Sequence, residues 1–146
     1  MKKKVDINVA GIHIRDGNEE ERIDTSSGGI YEVMTDGSVC VEYEEVQDMG
    51  GQRIKISNKV TVPADLKSVE VVRSGAMNSK MVFGLEEYIM DYKTPYGSMQ
   101  MGVVTNNLSF KNEDNGMIRE IYAEYLIKSG DEILSDSKMI IEIKHR

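Results

Sequence analysis

The chain has 146 residues, a single domain's length. A domain of that size buries about 70% of the surface its unfolded form exposes, so it needs no metal or disulfide staple to hold a core. With 40% hydrophobic and 29% charged residues it is globular rather than disordered, and its formal net charge of −7 disfavours nucleic acid and anionic membrane as general partners. Cys40 is the one cysteine, which excludes an intrachain disulfide and points to a reducing, cytoplasmic setting.

In chain order, Lys2, Lys3 and Lys4 are followed by Val5, Ile7 and Val9 alternating with polar residues, a strand pattern and not the apolar run of a secretory signal. No apolar stretch approaches the ~18 residues of a membrane span. Ile12 and Ile14 carry the pattern on at the opposite parity, which predicts a β-bulge at Ala10-Gly11 and puts His13 on the outer face. Asp16, Gly17 and Asn18 end this strand, and Glu19, Glu20 and Glu21 read as a solvated turn. After Gly28 and Gly29, the segment from Ile30 to Met34 and the alternation of Val39, Val41 and Tyr43 flank Asp36-Gly37, a hairpin signal in which both turn positions tolerate positive φ. Cys40 falls on the parity of Glu42 and Glu44, which predicts a partly exposed thiol on the outer face. A second hairpin passes through Asp48, Met49, Gly50 and Gly51 into the segment from Arg53 to Ser57, and residues 58–67 look like a less regular connection.

Val69, Val71 and Arg73 then share a face, and Ser74-Gly75 breaks the strand. Met81 and Phe83 alternate up to Gly84. Tyr88, Met90, Tyr92 and Thr94 share the next face; Pro95, Tyr96 and Gly97 form a tight turn, and Met99, Met101, Val103 and Thr105 follow at one parity. Beyond a polar turn from Lys111 to Gly116, Ile121, Ala123, Tyr125 and Ile127 lie on one side of a long strand. Ser129, Gly130 and Asp131 turn the chain back into a last strand with Met139, Ile141 and Ile143 inward, and His145 sits at a mobile end.

Nine or ten strands joined by short turns imply antiparallel order, because parallel neighbours need long crossovers. That many strands in one small domain would leave long exposed edges unless the sheet closed. The sequence therefore predicts an all-β fold over residues 1–146: a closed antiparallel up-and-down β-barrel of about 8–10 strands, with a two-sheet sandwich as the competitor.

A family resemblance enters at Val72, Arg73, Ser74, Gly75 and Ala76. It continues through Met81, Val82 and Phe83 to Tyr92, Lys93, Thr94, Pro95, Tyr96 and Gly97, then Met99, Gln100, Met101 and Thr105. Over nearly its whole length the chain resembles the YwiB-like family of small bacterial proteins of unknown function. The resemblance implies a calycin (lipocalin-like) barrel and brings no activity, substrate or catalytic residue with it.

The chemistry in the residues is sparse. His13, His145 and Cys40 lack zinc-ligand spacing, the glutamate runs lack the loop of a calcium site, and no phosphate-binding loop or activated nucleophile is visible, so no metal, cofactor or enzymatic activity is expected. The inward polar residues stand out. Arg73, if buried, needs a partner: an interior carboxylate, carbonyl or water, or the anionic head of a ligand. The ligand-binding set under the second option is Arg73, Tyr88, Tyr92 and Thr94 for the head, with Met81, Phe83, Met99 and Met101 along an apolar tail. The ten methionines suit either core filling or an adaptable lining. The expected function is a non-enzymatic barrel for a small amphipathic or anionic molecule. The alternative is an interaction or scaffold protein with a solid core, acting through its surface or as a homodimer.

Overall fold

The computed structural model describes residues 2–15, 19–75, 78–94 and 97–146, with the side chains of Glu19, Gln47, Met49, Tyr92, Lys93 and Thr94 outside that description. Ten strands run in chain order: β1 (Lys2–Arg15), β2 (Glu19–Val33), β3 (Val39–Met49), β4 (Gln52–Val62), β5 (Val69–Gly75), β6 (Ser79–Phe83), β7 (Tyr88–Thr94), β8 (Gly97–Asn112), β9 (Ile118–Ser129) and β10 (Glu132–His145). They form one sheet in the order β6-β5-β4-β3-β2-β1-β10-β9-β8-β7, and every ladder in it is antiparallel. No helix occurs among the described residues.

The sheet curls until β6 and β7, its two ends, face each other across a seam. No ladder joins them among the described residues. Side chains bridge the seam instead: the Gly84 N–H donates to Thr105 Oγ1 at 3.1 Å, and the Phe83 and Tyr125 rings meet at 4.7 Å. The result is a nearly closed up-and-down barrel. Period-two alternation explains it, since each strand turns one row of Val, Ile or aromatic side chains inward. Val5, Ile7, Tyr31, Val41, Val60, Val62, Val69, Phe83, Ile121 and Ile141 are all essentially removed from solvent.

Both expected hairpins form. Gly50 and Gly51, with φ of 60° and 84°, make the two-residue turn between β3 and β4. The turn from Met34 to Ser38 differs from expectation, because only Gly37 has positive φ (88°). Asp36 instead accepts the Ser38 N–H at 2.9 Å. The ends expected at Ser74-Gly75 and around Gly130 match the ends of β5 and β9. Of the expected turn at Pro95, Tyr96 and Gly97, the first two residues lie outside the described residues, as do Asp16, Gly17 and Asn18.

Six expectations are corrected. β1 pairs β2 and β10 in unbroken register from Val5 to Ile14, so there is no bulge at Ala10-Gly11. Parity therefore runs straight through Val5, Ile7, Val9, Gly11 and His13, which places His13 inside and Ile12 and Ile14 outside. Glu20 and Glu21 are not a solvated turn: with Glu19 they open β2, whose paired length the serines and glycines hide in the sequence. Asn58 to Val62 are regular β4 rather than an irregular connection. Cys40 does face outward, but at 6% exposure it is buried, because the longer Glu32, Glu42 and Lys59 side chains surround so short a thiol. Burial pushes its pKa up. His145 is held rather than mobile: its Nε2 lies 2.8 Å from the Ile118 carbonyl and its ring stacks edge-on against Tyr31 at 4.8 Å.

Candidate functional site

Two rows of inward residues cross the walls at the end of the barrel away from His145. On one wall Tyr43, Asn58, Arg73 and Ser79 stand directly opposite one another on β3, β4, β5 and β6. On the other wall His13, Ser137, Tyr125 and Thr105 do the same on β1, β10, β9 and β8. Each is the polar end of an otherwise apolar row, so the alternation that builds the core also builds this belt.

Arg73 points inward, as its parity predicts, and its partner is a carboxylate from the chain itself. Its NH2 donates to Glu45 Oε1 at 2.7 Å, with the Glu45 side chain 10% and that of Arg73 29% exposed. Asn58, buried, donates through Nδ2 to the same oxygen at 3.2 Å. Burial, with the Glu45 carboxylate beside it, raises the Tyr43 pKa to about 12, so this phenol stays protonated. Across the barrel, His13 Nδ1 lies 2.8 Å from Ser137 Oγ. Ser137 is in turn 3.0 Å from Ser135 Oγ and shares a hydrogen bond with the Tyr125 hydroxyl. Desolvation holds the His13 pKa below its ordinary value, only partly opposed by the charge of Glu21.

Between the two rows is a cavity of about 250 Å³. Val9, Val71, Met81, Phe83, Ile127 and Met139 supply its apolar surface, and Arg73, Glu45, Asn58, His13, Tyr43 and Tyr125 its polar one. Gly11 also lines it, leaving room that a side chain would fill. A larger open hollow of about 670 Å³, bordered by Lys4, Lys59, Glu42, Glu44 and Arg146, mixes both signs of charge, and Arg146 there is bound to Asp6 at 2.5 Å. The smaller interior space, with converging polar groups over an apolar floor, is the better-formed site.

Of the expected ligand-binding set, Arg73, Met81 and Phe83 meet at this cavity. Tyr88 packs against the core, Met101 is half-buried opposite Met90, and Met99 is 43% exposed; none of the three lines the cavity. The Tyr92 and Thr94 side chains lie outside the described residues. The sequence reading missed Glu45, Asn58, His13 and Ser137. Each shares the parity of an inward run (Val39, Val41, Tyr43; Ile56, Val60, Val62; Val5, Ile7, Val9; Met139, Ile141, Ile143), and that was the available signal. Among the described residues no group of three or more His, Cys, Asp or Glu is placed to hold a metal ion.

No curated protein matches the chain. Among solved structures it is similar to the crystal structure of the ywiB protein from Bacillus subtilis, with 22% identity and a TM-score of 0.77 over 99% of this chain and 93% of that one. That likeness concerns the fold. The family model described as a domain of unknown function (DUF1934) matches residues 7–141. Spanning nearly the whole barrel, that match makes the chain a member of the DUF1934 family.

Proposed function

We propose that the protein is a non-enzymatic, lipocalin-like binding barrel that takes one small amphipathic molecule into the cavity between its two polar rows. The observation that carries this reading is the half-open interior space of about 250 Å³ with an apolar floor and hydrogen-bonding groups on both walls. A Cβ at Gly11 would meet nothing closer than His13 Nε2 at 3.7 Å, so that wall of the space is open. The volume lies just under the ~300–1,000 Å³ of clefts for drug-sized ligands, which suits a smaller occupant.

The Arg73–Glu45 pair narrows the chemistry of the head. A simple anion approaching Arg73 would also approach the Glu45 carboxylate, 2.7 Å from the guanidinium nitrogen. A neutral head that accepts from Arg73 and donates to Glu45, such as a carboxamide, avoids that repulsion. The tail then lies along Met81, Phe83 and Met139. Catalysis finds little support in the same residues: Ser137 is 1% exposed beneath the wall and already committed to His13, Ser135 and Tyr125.

The test is a thermal-shift screen of small amides, carboxylates and amines with short apolar tails, beside native mass spectrometry of protein purified from its own host. Amides are expected to stabilise the wild type and to lose that effect in Met81→Trp, which fills the cavity, and in Arg73→Met. If no head-group class stabilises the protein and its native mass is bare, the cavity is a packing defect. The barrel would then be the solid-core interaction module that the internal Arg73–Glu45 pairing also fits.

A further inference from the structure

The wall of the barrel is not continuous between β2 and β3. Their ladder runs from Val33↔Val39 to Gly29↔Tyr43 and stops there. Beyond that point β2 continues beside β1 alone, as far as Arg15↔Glu19, and β3 continues beside β4 alone, as far as Met49↔Gln52. Residues 19–28 and 44–49 therefore form the two arms of a fork. Its vertex is pinched at Gly29, where a Cβ would come within 2.7 Å of the Glu42 carbonyl oxygen and 3.2 Å of Tyr43 Cβ.

The arms are acidic. They carry Glu19, Glu20, Glu21, Asp24, Glu44, Glu45 and Asp48 with one basic residue, Arg22; Asp24 pairs with Arg22, Glu21 with Arg15, Asp48 with Arg53 and Glu45 with Arg73. Carrying the Gly29↔Tyr43 register onward would set Asp24 opposite Asp48, and like charges facing each other across a ladder destabilise it. The fork is also where apolar surface reaches solvent: Ile23, on the inner face beside the cavity, and Val46, on the outer face, are each about half exposed.

We propose that this fork receives an extended, cationic peptide segment of another protein, added as a strand along β2 over residues 20–27. Strand addition to an open sheet edge draws affinity from main-chain hydrogen bonds and selectivity from alternate side chains. Basic residues four positions apart on the incoming strand lie over Glu20 and Asp24 on the outer face, with a small polar residue between them over Arg22, which is bonded to Asp24 at 3.0 Å. Small apolar residues between them face Ile23 and Thr25. A second copy of this chain fits poorly, because its corresponding edges bear the same acidic residues. The proposal stands on the sheet edge and not on occupancy of the cavity.

The experiment uses three labelled peptides of about seven residues: Lys-Val-Ser-Val-Lys-Val-Ser (the Lys-Val peptide), the same sequence with Glu for Lys, and the Lys-Val peptide with every second amide N-methylated. Binding to the intact protein is followed by fluorescence anisotropy, and its place by amide hydrogen exchange. The Lys-Val peptide is expected to bind and to slow exchange within residues 19–28, while the N-methylated form, equal in charge but short of donors, binds at least about tenfold more weakly. Glu20→Lys with Asp24→Lys should weaken Lys-Val binding similarly, and a thermal melt checks that this variant is folded. Equal binding of the N-methylated peptide would reduce the effect to charge and overturn the proposal. Protection confined to other strands would overturn it as well, as would light scattering showing a dimer that shields residues 19–28.

Discussion

The two ends of the barrel interior are built by the same alternation and have opposite characters. Toward His145 the inward row is Val5, Ile7, Tyr31, Val41, Ile121 and Ile141, all buried and packed together. Two polar groups intrude there: the Tyr31 hydroxyl accepts the Ile118 N–H at 2.9 Å, and the His145 ring, bonded to the Ile118 carbonyl through Nε2, keeps a buried Nδ1. Toward His13 the inward positions are Arg73, Glu45, Asn58, His13 and Tyr125, around a cavity. At the His13 end the ladders also shift register at Thr105/Asn107 and Ile133/Ser135, and the β2–β3 pairing stops at Gly29↔Tyr43, so backbone as well as side chains sets the two ends apart. One end supplies stability, and the other uses part of it to keep hydrogen-bonding groups and open space inside.

Matched truncations break this comparison most directly. Ile121→Ala, in the packed end, is expected to cost about 2–5 kcal/mol, whereas Met139→Ala, beside existing space, should fall at or below the low end of that range. Urea melts of the two variants measure the difference, and equal losses would mean that the cavity end is as tightly packed as the core.

Alkaline titration gives an effect of intermediate size. Tyr43 is raised from 10.0 to about 12, so between those values the native state keeps a proton that the unfolded chain releases. Stability therefore declines as pH rises from 10 to 12, by roughly 2–3 kcal/mol for this one group. In Tyr43→Phe that part of the decline should be missing from melts run across the same range, and an unchanged slope would show that the phenol is solvated.

The smallest effect is on the acid side. Because the His13 pKa lies below its ordinary 6.5, the unfolded chain binds a proton there before the native one does. Stability is thus full above about pH 6.5 and is lost as pH falls from there through the folded value. His13→Gln should flatten this slope in melts between pH 7 and 5, leaving the carboxylate contribution at lower pH. A wild-type slope in the variant would mean that another group carries the acid sensitivity.

The barrel was largely legible in the sequence because a half-buried strand declares its inward face through alternation. Arg73 was placed inside by its neighbours' parity alone, and Tyr125 was set on the face of Ile121, Ala123 and Ile127. His13 was misplaced for an instructive reason: Ile12 and Ile14 are apolar, and two outward isoleucines imitate a change of phase. Asn58 was lost because a polar residue next to Lys59 resembles a loop, although Val60 and Val62 resume the inward row. Glu45 could not be inferred as the Arg73 partner, since the two meet only through the β3–β4–β5 register. A buried polar belt hides in this way because each member interrupts the apolar pattern that would reveal it.

The seam has a practical consequence. β1 and β10 lie side by side, with Val5 opposite His145, so the first and last strands in chain order are neighbours in space. The link from β6 to β7, by contrast, is a bare peptide connection with Leu85 almost fully exposed and no ladder beneath it. Joining the chain's two ends with a short linker and opening it near Leu85 would leave each of the nine strand pairings intact. The barrel is in this sense a ribbon whose cut can be moved, and a circularly permuted version offers new termini beside Phe83, at the rim of the interior cavity.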